Sequence, residues 1–157
     1  MIAAALTLCA AQAEATQPAA CFQALDRVLQ ESLGHRLLTL LRIDAEQTWC
    51  ERVYTSRPDA FASQGRKALD AAPQMRRVLA AGRPLIVDGE AAVRAAFPDH
   101  ERIFALGCAC VLNVPVRWRG RTVAQLNLLD AAGAYAEPEA ALALVAAQLC
   151  LPALLND

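Results

Sequence analysis

Residues 108–130 read CACVLNVPVRWRGRTVAQLNLLD, and this stretch decides the fold. Two runs rich in β-branched and aliphatic residues, Cys108 to Trp118 and Arg121 to Asp130, flank the dipeptide Arg119-Gly120. A glycine at this point allows the positive φ that tight hairpin turns require. The stretch therefore predicts a β-hairpin with two long strands.

Two asparagines, Asn113 and Asn127, interrupt the otherwise apolar strands of this hairpin. A buried amide needs hydrogen-bond partners, so the register of the hairpin matters. A two-residue turn at Arg119-Gly120 would place Asn113 opposite Leu126, whereas a three-residue turn that includes Arg121 would place it opposite Asn127. We favour the second register because it pairs the two amides. Bonding of each amide to nearby backbone is the alternative.

The segment before this hairpin predicts one helix and two further strands. An amphipathic pattern begins at Pro18 and ends at Gly34, as expected of a helix that a glycine stops. The almost unbroken apolar run from Arg36 to Asp44 is typical of a central strand, and Thr48 to Ser56 is β-prone. We expect these two strands to form a second hairpin.

Turn residues separate short elements between the two predicted hairpins. Residues 56–66 are expected to form a loop, Asp70 to Ala81 a helix, and Pro84 to Val87 a short strand. Asp88 and Asp99 are positioned to cap two brief helices that follow.

The last predicted helix begins near Pro138, with acidic residues beside it that suit a helix N-terminus. Leu142, Val145 and Leu149 give this helix one apolar stripe. Hairpins and helices interleaved in this order predict an α+β fold around an antiparallel sheet.

Composition limits the classes of protein to which the chain can belong. Its 157 residues suffice for one compact domain, and 56% hydrophobic with 20% charged residues is typical of a globular protein. A formal net charge of −1 leaves no basic excess for nucleic acid or an anionic membrane surface, and no apolar run is long enough to cross a bilayer. We treat residues 1–157 as a single domain in which residues 1–16 are an N-terminal helical extension.

The N-terminal residues bear on localisation. Residues 2–11 are apolar and precede Ala11-Gln12-Ala13, which resembles the cleavage site of a signal peptide. No basic residue precedes the apolar stretch, however, and a secretory signal needs a positive start. We therefore expect an N-terminal helix and a cytoplasmic protein.

Six cysteines lie in apolar segments, where a thiol packs as a small hydrophobic group. Cys108 and Cys110 are two residues apart in a predicted strand, so their side chains are expected on one face. A redox role for this pair is the alternative to two buried, reduced thiols. A zinc site would need two further ligands, and no Cys-x-x-Cys or histidine pair supplies them.

The order of elements and the last hairpin resemble a GAF domain from about residue 18 to 155. The similarity is carried by Leu106-Gly107, Leu112-Asn113-Val114-Pro115-Val116, Gly120 and Leu126-Asn127-Leu128-Leu129. Leu33-Gly34-His35-Arg36-Leu37 and the loop from Tyr54 to Lys67 are similar to small stand-alone bacterial members of that family.

This resemblance implies a central antiparallel sheet of five or six strands, with N- and C-terminal helices on one face. Loops and short helices on the other face would enclose a small-molecule pocket. The terminal helices would also pair two copies of the chain into a homodimer.

The sequence departs from three better-known branches of the family. It contains neither the Asn-Lys-Phe-Asp-Glu signature of the cyclic-nucleotide phosphodiesterases nor a Cys-His dipeptide for covalent bilin attachment. The free methionine sulfoxide reductases use cysteines in their pocket loops, whereas the corresponding loops here, SQGRKALD and FPDHERIF, contain none. The resemblance therefore does not by itself imply that activity.

The second strand supplies two candidate ligand-facing residues. Tyr54 and Ser56 would share one face with Cys50 and Arg52, and alternation turns Val53 toward the core. A polar face of this kind borders either solvent or a pocket, and we assign Tyr54 and Ser56 to the pocket.

Further candidates lie on the predicted loops and the last hairpin. Arg66 and Lys67 put two adjacent cations near a helix start, which suits a carboxylate or a phosphate. His100 lies on the segment expected to cover the pocket, where it could donate to a ligand or titrate near neutral pH. Solvated surface positions are the alternative for all three. The set is completed by Asn113, Asn127 and Cys108.

No assembled catalytic set is visible in the sequence. We therefore expect a non-catalytic sensor that binds a small polar or anionic metabolite, and no particular cofactor is indicated. Two alternatives remain open. One is a thiol-based redox enzyme or sensor resembling the free methionine sulfoxide reductases, and the other is a dimerisation module whose pocket is filled by side chains.

Overall fold

One antiparallel sheet organises the chain, and the computed structural model describes residues 1–155 of it. Its elements are α1 Ile2–Gln12, α2 Ala19–Ser32, β1 Leu37–Ile43, β2 Trp49–Thr55, β3 Arg66–Ala68, a 3₁₀ turn Leu69–Ala71, α3 Pro73–Ala81, β4 Leu85–Asp88, α4 Glu90–Ala96, α5 His100–Ala105, β5 Cys110–Trp118, β6 Arg121–Asp130, α6 Glu137–Leu149 and α7 Leu151–Leu155. The six strands lie in the order β3-β2-β1-β6-β5-β4. The predicted α+β class and antiparallel sheet are confirmed.

The two faces of the sheet carry separate hydrophobic cores. On one face, alternate residues of the central strands, such as Leu40, Leu112 and Leu126, pack against α1, α2, α6 and α7. On the other face, Leu37, Val111 and their neighbours pack against α4, α5 and the loop after β2. The terminal helices therefore share one face, as predicted, and the short helices cover the other.

The β5–β6 hairpin has the predicted register at the asparagines, but its turn differs from the prediction. Asn113 pairs with Asn127, yet Trp118 pairs with Arg121, so the turn has two residues, both at positive φ. A β-bulge between Val116 and Arg117 shifts the register by one residue. The three-residue turn in the prediction is therefore wrong, because the extra residue lies within the strand.

A second bulge, in β2, corrects the predicted placement of Tyr54 and Ser56. Leu41 pairs with Arg52 but Leu40 pairs with Tyr54, so Val53 is the extra residue. Tyr54 thereby turns to the helical face, where its ring lies 6.1 Å from that of Phe22. Ser56 lies beyond the strand, and its Oγ accepts the Leu38 N–H at 2.8 Å.

The segment between the hairpins also differs from prediction in detail. Residues 66–68 form an additional edge strand, and α3 begins at Pro73 rather than at Asp70, after the 3₁₀ turn. Neither Asp88 nor Asp99 makes the predicted cap. Asp88 ends β4 while Gly89 takes the N-cap of α4, and Asp99 occupies the N-cap of α5 without a side-chain bond to it.

Helix α6 buries its small residues more completely than the predicted stripe. Ala140, Ala143 and Ala147 are buried against the sheet, because alanine lets a helix lie close to it. Of the stripe, Leu142 and Leu149 are half-buried and pack against the same core, whereas Val145 is 42% exposed. Leu142, Val145 and Leu149 line a shallow groove beside α1, which itself is anchored by the buried Leu8.

Cys108 and Cys110 do not share a face. Strand β5 begins at Cys110, so strand alternation does not extend back to Cys108. Cys110 is buried against the terminal helices, and Cys108 is buried on the opposite side of the sheet. Within residues 1–155, no helix combines the length and apolar character needed to span a bilayer.

A partly buried polar cluster ties the helical layer to the sheet. The Tyr54 hydroxyl donates to Asp26 Oδ2 at 2.6 Å, and His35 Nε2 lies 3.0 Å from Asp26 Oδ1. Burial opposes ionisation of Asp26, but its hydrogen bonds with His35 and Tyr54 outweigh burial and lower its pKa. Separately, the Tyr135 hydroxyl donates to the Gly34 carbonyl at 3.0 Å.

Replacing Tyr54 by Phe is expected to lower the free energy of unfolding by about 1.5–3 kcal/mol at pH 7, since a bond to a carboxylate is lost. Asp26 has a lowered pKa in the folded state, so its contribution is present above its unfolded pKa of about 4 and is lost as pH falls. The difference from the parent protein should therefore shrink toward about pH 3. Denaturant unfolding across pH measures it, with Tyr135→Phe as the control. A pH-independent Tyr54→Phe effect would contradict this assignment.

Candidate ligand-binding site

A cavity of about 110 Å³ lies between the sheet and its covering layer of α3, α5 and the loop after β2. A water needs roughly 10–15 Å³ of such volume, so the cavity has space for roughly seven to eleven water-sized atoms. The strands β1, β2, β5 and β6 form its floor. We refer to it below as the cavity.

Apolar side chains form much of the cavity wall. Leu41 and Val111 rise from the sheet, Met75 comes from α3, and Ile103 from α5. Phe61 reaches in from the loop after β2 and is itself buried. A wall of this kind lowers the local dielectric and strengthens polar contacts made inside it.

A chain of hydrogen-bonded amides crosses the cavity floor. Gln74 Nε2 donates to Asn113 Oδ1 at 3.2 Å, and Asn113 Nδ2 donates to Asn127 Oδ1 at 2.7 Å. Asn127 Nδ2 then donates to Thr39 Oγ1 at 3.1 Å. Gln125 Nε2 adds a second donor to Asn127 Oδ1 at 2.6 Å.

The direction of this chain is set by Arg77, which can only donate. Arg77 Nη1 donates to Gln74 Oε1 at 3.2 Å, so the Gln74 amide nitrogen must face Asn113. Each following amide is then oriented in turn. Gln125 Oε1, in the same floor, is buried without a hydrogen-bond partner.

Two cations of the sheet face the cavity. Lys67 pairs with Cys50 across β2 and β3, which directs both side chains to this face. Within residues 1–155, Lys67 makes no ion pair. The Arg52 side chain lies deeper, and its Nε is buried without a hydrogen-bond partner. Burial, with the positive charge of Arg102, lowers the pKa of the Arg52 guanidinium.

Arg52 and Arg102 also hold the loop over the cavity. Arg52 Nη1 donates to the Ala62 carbonyl at 2.8 Å, and Arg102 Nη2 donates to the Ala60 carbonyl at 2.7 Å. Their guanidinium carbons lie 5.4 Å and 4.2 Å from the ring centroid of Phe61. The loop is therefore fastened on both sides of the aromatic ring that lines the cavity.

Three of the predicted ligand-facing residues line the cavity, namely Lys67, Asn113 and Asn127. The other five do not. Tyr54 bonds to Asp26 on the helical side, and Ser56, beyond the end of β2, bonds to the Leu38 backbone, as described above. Cys108 is buried beneath the covering layer, outside the lining.

Arg66 and His100 point away from the cavity. The Arg66 guanidinium carbon lies 4.3 Å from the Trp49 ring on the outer surface of the sheet edge. The ring nitrogens of His100 approach the Phe97 carbonyl, at 2.8 Å, and Glu101, at 3.2 Å. Adjacent cations at positions 66 and 67 thus diverge, because neighbouring strand residues face opposite sides.

Several cavity residues escaped the sequence analysis. Thr39 and Gln125 could have been found, because both lie on the same sheet face as Asn127 once the register is known. Gln74, Phe61 and Asp99 come from the covering layer, and no local pattern marks them as cavity residues.

The buried thiols are poorly suited to nucleophilic chemistry. Burial raises the pKa of Cys108 and of Cys110 to about 11. Cys50 does line the cavity, yet burial raises its pKa too, despite nearby Lys67 and Arg52. The reactive species is the thiolate, so all three stay in the less reactive protonated form near neutral pH.

Solved structures share this architecture over nearly the whole chain. The GAF domain of a phosphoenolpyruvate-protein phosphotransferase from Acinetobacter aligns with a TM-score of 0.75 at 9% identity, covering 98% of this chain and 91% of that one. The fold is that of a GAF domain. The corresponding domain from Coxiella burnetii aligns at 0.73 with 16% identity, covering 97% and 93%.

A type II free methionine-R-sulfoxide reductase from Thermoplasma acidophilum has a similar structure, with a TM-score of 0.62 at 12% identity, covering 85% of this chain and 89% of that one. No family model matches the sequence, and no curated protein matches it significantly. The likeness therefore establishes the GAF fold, and the ligand must be argued from the cavity itself.

Replacing Asn127 by Leu is expected to lower the free energy of unfolding by about 2–4 kcal/mol, because the amides of Asn113 and Gln125 lose their shared acceptor inside the protein. Thr39→Val is the matched control, since it removes only the end of the chain and should cost about 1 kcal/mol. Denaturant unfolding measures both. Equal losses would show that Asn127 is not the centre of the network.

Proposed function

We propose that this GAF-fold chain is a non-catalytic sensor that binds a small polar or anionic metabolite in the cavity. The observation that supports this most directly is the pair of cations Arg52 and Lys67, which line a cavity with many apolar wall residues. Within residues 1–155, no carboxylate is bonded to either cation. Lys67 is exposed, whereas Arg52 is half-buried with its Nε unbonded. Burying a cation without a charged partner is costly, and an anionic ligand would offset that cost at Arg52.

The floor of the cavity suits the same kind of ligand. Its amides give the cavity polar groups within a largely apolar wall, and the unpartnered Gln125 Oε1 can accept a hydrogen bond from a ligand. Hydrogen bonds that involve a charged group are stronger than neutral ones. The volume of about 110 Å³ fits a ligand of roughly ten heavy atoms. A small metabolite is therefore favoured over a nucleotide or a tetrapyrrole.

The thiol alternative has less support. Among the cysteines of residues 1–155, Cys50 alone lines the cavity, and burial raises its pKa. The cysteines in the described part of the chain are all free, which fits the reducing conditions of the cytoplasm. We accordingly propose a cytoplasmic binding protein.

Lys67→Ala is expected to weaken anion binding tenfold or more, since a charge-assisted contact is worth about 1.5–3 kcal/mol. Isothermal titration calorimetry with acetate, propionate, malonate and inorganic phosphate tests this, and native mass spectrometry of the purified protein searches for a retained molecule. Arg66→Ala is the control, because it removes the neighbouring cation that faces outward. The proposal fails if no probe binds and no molecule is retained, or if both variants behave alike.

We also propose that the terminal helices pair two copies of the chain. Helix α1 carries no charged residue, and its Ile2 and Leu6 are 79% and 64% exposed. Val145 on the neighbouring helix α6 is also exposed and lines the groove beside α1. A surface without charge can meet its own copy across a two-fold axis without electrostatic repulsion.

Leu6→Glu is expected to halve the molar mass measured by light scattering coupled to size exclusion. Two buried carboxylates would face one another across the axis, which is strongly unfavourable. Trp118→Glu alters an exposed apolar residue at the tip of the last hairpin and should leave the mass unchanged. A parent protein that is already monomeric at micromolar concentration would rule out the pairing.

A further inference from the structure

The cavity contains charges of both signs. The sheet supplies the cations Arg52 and Lys67, and the covering layer supplies the carboxylate of Asp99. Asp99 precedes α5 and is partly buried beside Phe97 and Pro98 in the cavity wall. The cavity can therefore contact a negative group and a positive group of one ligand, and not only an anion.

The Asp99 carboxylate is not committed to a structural role. It occupies the N-cap position of α5, where an aspartate ordinarily accepts a backbone N–H, but it makes no such bond. Within residues 1–155, the Asp99 side chain also forms no ion pair or hydrogen bond. Asp99 therefore does not cap α5 through its side chain, and its carboxylate is available to bind a ligand.

A ligand that is only an anion would make no favourable contact with the Asp99 carboxylate. A carboxylate in the wall repels an anion, and this repulsion is strengthened by a low-dielectric surrounding. The charge of Asp99 does act on the opposite wall, since it partly offsets the lowering of the Arg52 pKa. A ligand that carries one negative and one positive group would instead satisfy both walls.

We infer that the ligand is a small zwitterion, an amino acid, whose carboxylate binds at Arg52 and Lys67 and whose ammonium binds at Asp99. This inference rests on the proposed function. The ammonium donates to Asp99, while the carboxylate accepts from the two cations. Apolar lining by Leu41, Phe61 and Met75 leaves room for an aliphatic side chain of up to about four carbons.

The test compares each of three amino acids, alanine, valine and leucine, with the acid that lacks its amino group and the amine that lacks its carboxylate. Isothermal titration calorimetry is expected to show at least one amino acid binding tenfold or more tightly than either partner. Asp99→Asn should weaken that amino acid at least tenfold and leave the deaminated acid unchanged or tighter. Asp99→Glu, which keeps the charge, should retain the preference for the amino acid.

Asp70→Asn is the matched control, because Asp70 is exposed and bonds Arg76 outside the cavity. It should change neither affinity. If the deaminated acids bind as tightly as the amino acids, the zwitterion is excluded while the anion sensor stands. If Asp99→Asn leaves the amino-acid affinity unchanged, the assignment of Asp99 is wrong. If no amino acid binds the parent protein, the zwitterion is excluded, and the anion sensor is then decided by the probes and the retained molecule described under Proposed function.

Discussion

The structure depends on one polar interaction inside an apolar sheet, the pairing of Asn113 with Asn127. An amide buried between two hydrophobic layers must find partners, so every other register of the hairpin would leave donors unsatisfied. The bulge near Val116 is tolerated because it brings these two side chains together. The register then decides which residues of β5 and β6 face the terminal helices and which form the floor of the cavity.

The cavity holds one charge where it is costly, the guanidinium of Arg52, which is half-buried with an unbonded Nε. Removing such a group from water is unfavourable unless a group of opposite charge replaces the lost interactions. Lys67 lines the same cavity from an edge strand, with its side chain exposed. The GAF fold thus supplies the frame, and in the proposed function these two side chains would select the ligand.

The sequence predicts the frame better than the site, and the reason is physical. Strand and helix periods extend over many residues, so the hairpin at 108–130 and the helix ending at Gly34 could be recognised from pattern alone. A single inserted residue reverses that pattern locally, which is why Tyr54 lies on the helical face and not in the cavity. Phe61, Gln74 and Asp99 reach the cavity from the covering layer, where tertiary packing and not local periodicity determines position.

The bond between Arg52 and the loop after β2 would couple ligand binding in the cavity to the position of that loop. Arg52 donates one N–H to the Ala62 carbonyl. A ligand that bound this guanidinium and moved it inward would therefore compete with the loop for the same donor. Occupancy and loop attachment are then thermodynamically linked, each altering the other by an equal free energy. Ligand binding at Arg52 would therefore change the position of the loop around Phe61, whose following residues 62–68 are exposed.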